Sequence, residues 1–409
     1  MDVYRRWRHR VAWMYRKNLD DLYWMLRSGL WRRLQSGGIL PGGQPPIFVF
    51  HTVKADRFRD QLAFLAANGY KTLRVSELSS PAAAAERCVA LTFDDARRSL
   101  FDSAFPLLRE FGFQATAFVV TGCVPGEAGH ASGHEREAET GLPETRLCTW
   151  PEMEAMAATG RIEFQSHTHR HVLVETEPVL VGFVTPAALG REFANTHLPL
   201  RVRELITERG EEAVLGAPVF LSAPLLATDR CLRVSPKLTG LCTEVVRRGG
   251  GRRFFEDPGW RNRLREAYER ALRSVRDAFD WATADELQGL VREELGRARA
   301  ELEARMGQPV QHLCLPWFTA SRRHFGAMRQ CGYRAVHWGA QPASWRNHQE
   351  GGLRHLWRLD EVFLRTLPGE GSISMGEALR IRFREATRLW RESSRRQGAL
   401  GRTASSNAK

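Results

Sequence analysis

Two short segments carry the side chains best suited to chemistry. Leu91-Thr92-Phe93-Asp94-Asp95 places two adjacent carboxylates at the end of an apolar run, and Ser166-His167-Thr168-His169-Arg170-His171 places three imidazoles at alternate positions. On a continuing strand His167 and His171 would lie about 13 Å apart, too far to share one ion. In a helical turn, residues i and i+4 lie on one face and can converge. A shared metal therefore requires the strand to end at about His167. One carboxylate of the Asp94-Asp95 pair would complete a two-His, one-carboxylate set with positions open to water and substrate. Adjacent residues at a strand end point in different directions, which leaves the other carboxylate to act as a base. Helix-capping Asp pairs and solvated His turns are the bland alternatives. What favours chemistry is that both segments follow strand-like runs, where α/β folds place their sites. His169 is out of phase with the other two and reads as a supporting residue. Cys123, His130, His134 and Cys148 form a weaker zinc set, spread across a Gly/Glu-rich stretch. His51, at another strand end, lines the same pocket or is a structural histidine.

The elements that must position these residues follow from periodicity and punctuation. Strands are expected at Ile47–Phe50, Lys71–Val75, Val89–Phe93, Ala115–Val120, Ile162–Gln165, Gln311–Leu315 and Arg334–Trp338, with helices at Arg57–Asn68, Ser99–Phe111, 150–160 and 321–330. That alternation implies a parallel α/β sheet, open or closed. Between about 173 and 282 the rhythm lapses. A structureless loop of that length is unexpected inside a compact domain, so an inserted subdomain or lid is expected. Thr283-Ala284-Asp285-Glu286 is a capping box opening a helix whose apolar positions include Leu287, Leu290, Val291, Leu295 and Leu302. The domain reading is a basic, Trp-bearing segment and linker at 1–45, a first barrel part at 46–172, the insertion at 173–299, a second barrel part at 300–370, and a basic helix and tail at 371–409.

The 409 residues carry a formal charge of +13. Residues 1–36 hold +6 of it and 378–409 hold +7, leaving 37–377 formally neutral. A neutral body excludes a basic nucleic-acid-binding core, and no nucleic-acid partner is expected. Trp13, Trp24 and Trp31 fall within about 20° of one another on a helical wheel. Arg and Trp together suit an anionic membrane surface, so peripheral contact through the termini is one expectation and a solvated helix packed on the domain is the other. No apolar run approaches the roughly 20 residues of a spanning helix, and the N-terminus lacks a secretory pattern. Seven scattered cysteines without a Cys-x-x-Cys favour free thiols and a cytoplasmic location.

At this point the chain resembles the polysaccharide deacetylase (NodB-homology) family of carbohydrate esterases. Thr92-Phe93-Asp94-Asp95 resembles its first motif and His167 to His171 its His-x-x-x-His motif. Leu313-Cys314-Leu315-Pro316-Trp317 with Cys331-Gly332-Tyr333-Arg334-Ala335 resembles the third motif region. The resemblance covers about 47–172 and 300–366. It implies an α/β fold, a distorted (β/α) barrel of the deacetylase type; the large mixed and helical insertion read from the broken rhythm is atypical of it. It also implies Asp94 as catalytic base, Asp95, His167 and His171 as ligands of a divalent metal, zinc before cobalt, manganese or nickel, and hydrolysis of an acetyl group from an acetylated sugar or glycan. His51, Pro316, Trp317 and Arg358 are the expected substrate-binding residues, and His337 and His355 the candidates for the late acid. Two positions depart from the family pattern: Ala96 stands where Gly follows the double Asp, and Cys314 where an Arg is common. Arg358 is expected to supply that guanidinium. The expected substrate is a cytosolic or lipid-linked biosynthetic intermediate rather than finished cell wall. The competing expectations are a catalytically impaired barrel that binds a glycan and a hydrolase of another non-peptide amide or ester.

Overall fold

A computed structural model describes residues 44–80, 87–125, 146–190, 195–339 and 349–384, together with Thr387. The basic N-terminal segment with its tryptophans, most of the C-terminal basic tail, and His130 and His134 lie outside the described residues. No helix among the described residues is long and apolar enough to cross a membrane.

The strand runs close into a ring. In chain order the barrel half comprises β1 (Ile47–Phe50), α1 (Ala55–Ala67), β2 (Lys71–Leu73), β3 (Cys88–Asp94), α2 (Phe105–Glu110), β4 (Ala115–Val119), α3 (Trp150–Ala158) and β5 (Ile162–Ser166). The insertion contributes β6 (Leu173–Phe183), α4 (Leu200–Arg209), β7 (Pro218–Pro224), β8 (Leu232–Val234), α5 (Pro236–Arg248), α6 (Trp260–Ser274) and β9 (Phe279–Trp281). There follow α7 (Ala284–Met306), β10 (His312–Cys314), α8 (Phe325–Gln330), β11 (Ala335–Trp338), β12 (Gln349–Glu350), β13 (Leu353–Trp357) and β14 (Leu359–Asp360). The strand order is β12-β13-β11-β10-β5-β4-β3-β1-β14. All neighbours are parallel except the β12–β13 hairpin. β14 ends that path and β13 lies next to its other end, inside the short β12, yet only Arg358 separates the two in the chain. One kinked strand therefore joins both edges and closes a distorted (β/α) barrel, which removes the open edges that a sheet would otherwise have to protect.

Alternation along each strand decides which side chains enter the ring. Ile47, Ala90, Phe118, Cys314, Ala335 and Leu356 meet inside it. The intervening residues, among them Phe48, Leu91, Phe93, Ala117, Phe164, Leu313 and Val336, face the helices in the main core. α1 answers with Phe58, Leu62 and Leu65, spaced four and three apart on one face. At about 1.5–3 kcal/mol for each fully buried large apolar side chain, this outer layer is the principal stabilising term.

The insertion folds around small cores of its own. β6 and β7 form an irregular antiparallel ribbon, and β8 pairs with β9. Phe220, Leu238 and Tyr268 centre one cluster, and Val184, Leu198 and Val202 another. The sequence reading assigned residues up to 299 to this unit, but α7 packs on the barrel. Its Leu287, Val291, Leu295 and Leu302 join the main core, and Tyr333 donates to Leu295 O at 3.0 Å. The long apolar stripe of α7 matches the barrel's outer layer, so the inserted unit ends before the Thr283 capping box.

Candidate active site

Asp94 is the last, inward-facing residue of β3, whereas Asp95 leaves the strand in the left-handed region at φ 67°. That turn sends the two carboxylates to different partners. Arg358 donates from Nη1 to Asp94 Oδ1 at 2.6 Å and from Nη2 to Asp94 Oδ2 at 2.9 Å. Both side chains are buried, and the guanidinium lies between Phe118 and Phe318, 5.3 Å from each ring centre. Cys314 completes the cluster, its Sγ 3.6 Å from Asp94 Oδ2 and accepting from Arg358 Nη2 at 2.9 Å. Burial alone would raise the Asp94 carboxyl. The Arg358 charge, then His167, the Arg358 hydrogen bonds and His51, together outweigh it and hold the group below the usual carboxylate range. Burial pushes the Cys314 thiol well up, so it stays neutral beside them.

The second half gathers Asp95, His167 and His171. Asp95 Oδ2 accepts from Arg97 at 2.9 and 3.1 Å, while Oδ1 lies 3.6 Å from His167 Nε2. Burial opposes the charge on Asp95, and Arg97 with the surrounding histidines His167, His51 and His171 together overcome it, leaving the carboxyl lowered. His167 Nδ1 donates to Cys314 O at 3.0 Å, which fixes the tautomer and leaves Nε2 as the lone-pair nitrogen. β5 ends at Ser166, and left-handed residues at Thr168 (φ 69°) and His171 (φ 52°) swing the second imidazole back. The two rings stand 5.0 Å apart. Burial first, and His167 second, push His171 down to about 3, into the neutral form a metal ligand requires.

Ligand atoms of Asp95, His167 and His171 all lie within 4.8 Å of one another. One carboxylate and two neutral imidazoles suit zinc and similar divalent ions, so these residues fit a metal. Asp94, His167 and Cys314 also lie within that distance. Arg358 already engages two of those three, and its positive charge opposes a cation there.

The turn after β10 walls the site. Pro316 is buried, and Trp317 (φ 51°) and Phe318 (φ 60°) follow it, both left-handed. Trp317 lies 4.0 Å from the His171 ring, and Phe318 covers Arg358. Of the eight non-glycine residues with left-handed backbone among those described, six are Asp95, Ala96, Thr168, His171, Trp317 and Phe318. At roughly 1–2 kcal/mol each, such strain persists only where the surroundings over-determine it. Ala96 (φ 50°) stands where the resemblance expects glycine, the residue that would be unstrained there.

The other candidates separate by burial and direction. His51 is exposed, its Nε2 3.9 Å from Asp94 Oδ2. His337 is fully buried inside the ring, bonded to His312 at 3.0 Å and 4.8 Å from the Phe118 ring. His355 faces outward against Phe325 of α8, accepting from Trp338 Nε1 at 3.0 Å and donating to Glu350 O at 3.2 Å. Strand parity turns His355 to the helix side, and His337 is buried inside the ring, so neither imidazole opens to solvent beside Asp94. His51, expected only to bind substrate, is the imidazole that opens beside Asp94. His169 bonds Thr121 Oγ1 through Nδ1 at 2.8 Å and supports the loop. Phe118, Phe318 and Arg97 were not singled out by the sequence, nor was Arg203, which donates to the carbonyl of Arg170 at 2.7 Å beside His171. Alternation within Ala115–Val119 would have placed Phe118 inside, and Arg97 lies two residues beyond Asp95, but no local signal marks Arg203.

Comparison with known proteins supports the family resemblance. Residues 82–196 match the family model for polysaccharide deacetylase, and this stretch carries the NodB-homology pattern. YxkH of Bacillus subtilis (strain 168), which carries a polysaccharide deacetylase name, is 28% identical over 139 residues, covering 31% of this chain and 43% of that protein. A poly-beta-1,6-N-acetyl-D-glucosamine N-deacetylase of Staphylococcus epidermidis is 26% identical over 122 residues, 29% of this chain and 38% of its own. The chain thus spans about two fifths of the length of these relatives. The solved structure of a de-N-acetylase from Aggregatibacter actinomycetemcomitans superposes with TM-score 0.46 at 14% identity, covering 82% of this chain and 99% of that one. That likeness is loose.

Proposed function

We propose that this chain is a metal-dependent hydrolase that removes N-acetyl groups from an amino-sugar glycan. The observation that carries the reading is the division of the Asp pair: Asp94 is paired with Arg358, while Asp95 faces His167 and His171. Relatives named for poly-beta-1,6-N-acetyl-D-glucosamine support a polymer of N-acetylglucosamine as the substrate class. A divalent cation held by Asp95, His167 and His171 would supply Lewis-acid polarisation of the acetyl carbonyl. Asp94 takes the proton of the attacking water. Arg358 lowers the basicity of that carboxylate while fixing its direction, so Asp94 contributes placement more than proton affinity. His51 passes a proton to the leaving amine, and Trp317 walls the sugar.

The test is acetate release from N-acetylglucosamine oligomers after reconstitution with zinc, cobalt, manganese or nickel, with metal content measured beside it. About one equivalent of metal and chelator-sensitive acetate release are expected. Metal uptake without acetate release from these oligomers or small amides would leave a glycan-binding barrel, and absence of metal uptake would overturn the reading.

A further inference from the structure

The insertion reaches the loop that carries His171. Thr168 and His171 are both left-handed, so the loop holds its shape only through bonds to its surroundings. The barrel supplies some of these: Gly122 N donates to His169 O at 2.7 Å, and Thr121 meets the His169 ring. A β-carbon on Gly122 would lie 2.8 Å from that ring, which shows how closely the two segments approach. α7 supplies another, since Glu294 accepts from Arg170 N at 2.8 Å and also pairs with the Arg170 side chain. The carbonyls on either side of His171 are held from the insertion. Arg203 Nη1 donates to Arg170 O at 2.7 Å, and Leu225 N donates to Val172 O at 3.0 Å.

Arg203 is itself fixed in register. Its neighbour Arg201 pairs with both oxygens of the buried Glu175 at 2.7 and 2.8 Å and donates to Pro218 O, tying α4 to the β6–β7 ribbon. Val202 between them is buried in a local core. The carbonyl that Arg203 holds belongs to the peptide unit leading into His171, so rotation of that unit would turn the imidazole away from His167.

We propose that Arg203, supplied by the insertion, is a positioning residue for His171, so that the inserted subdomain completes the metal-ligand set and is not only a cover over it. This rests on the reading of Asp95, His167 and His171 as a metal site. The experiment is zinc affinity by chelator competition on the full chain, for wild type, Arg203→Met, Arg203→Lys and an outward-facing control on the same helix, Glu208→Gln. Arg203→Met is expected to weaken zinc binding about 10- to 100-fold, the usual effect of losing a group that orients a ligand. Arg203→Lys, which keeps a donor, is expected to recover most of it, with kcat falling and KM little changed. Zinc affinity of Arg203→Met within about twofold of wild type would overturn the proposal. If Arg203→Met does not fold, Arg203→Gln gives the same comparison. A wild-type chain that takes up no zinc would instead overturn the metal reading itself, and the proposal with it.

Discussion

The two halves of the site are built by different means. Asp94 and Cys314 occupy inward positions at the ends of regular strands, with Arg358 at the kink between β13 and β14, and charge in a dry interior holds them together. Asp95, Thr168 and His171 lie beyond strand ends in left-handed backbone; Arg97 holds Asp95, and hydrogen bonds to three different parts of the chain hold the loop of the two histidines. The first half is costly to break because removing one partner strands a buried charge. The second is costly to move because its shape is strained and over-determined. The halves meet at His167, whose Nδ1 bonds the Cys314 carbonyl while Nε2 faces Asp95.

The largest expected effect separates the halves by metal content. His171→Ala is expected to lose bound metal and acetate release together, down to background. Asp94→Asn is expected to lose activity about 10²–10⁴-fold while keeping its metal, the range for removing a proton-transfer group. Metal analysis beside the acetate assay checks both. Metal lost from Asp94→Asn as well would show that the two halves are one unit.

Next is Arg358→Met, which leaves Asp94 buried without its partner. A loss of about 3–5 kcal/mol in unfolding free energy is expected by chemical denaturation, and Asp94→Asn with Arg358→Met should be more stable than Arg358→Met alone. A loss below about 1 kcal/mol would mean that charge does not hold this half.

The last prediction concerns pH, and it belongs to the strand-built half. Burial, then Arg354, holds His312 down at about 3, and burial, then His312, holds His337 well below its ordinary value. The unfolded chain takes up these protons below about pH 6.5 and the folded chain does not. Their contribution to stability is therefore complete above that pH and falls as pH drops toward 3, by at most about 1.4 kcal/mol per pH unit for each histidine. His312→Leu should make melting temperature less dependent on pH between 6.5 and 4. An unchanged slope would place the acid sensitivity elsewhere.

Much of the first half was legible in the linear sequence. The apolar run before Asp94 and the alternation of β1, β4, β5 and β11 set strand positions to within a residue or two, because burial on both faces demands continuous apolar stretches. A metal shared by His167 and His171 would require β5 to stop at about His167, and it ends at Ser166. Alternation assigns opposite faces to Trp357 and Arg358, but only ring closure says which face is the interior. The same ambiguity made His337 and His355 look equivalent, and they lie on opposite sides of the barrel wall.

By itself, then, the sequence determined which carboxylates and imidazoles stand at strand ends, and that the rhythm breaks from about 173 to 282. Those are consequences of local periodicity and burial, forces that act within a few residues. The resemblance to a known family offered Arg358 as the missing guanidinium, but only tertiary structure sets it beside Asp94 next to the Cys314 thiol, and only tertiary structure shows that Arg203 holds the peptide leading into His171. Those pairs lie 264 and 33 residues apart in the chain. Only closure of the ring and docking of the insertion bring them within hydrogen-bond reach, and the energy of a buried charge or a held carbonyl exists only at that range.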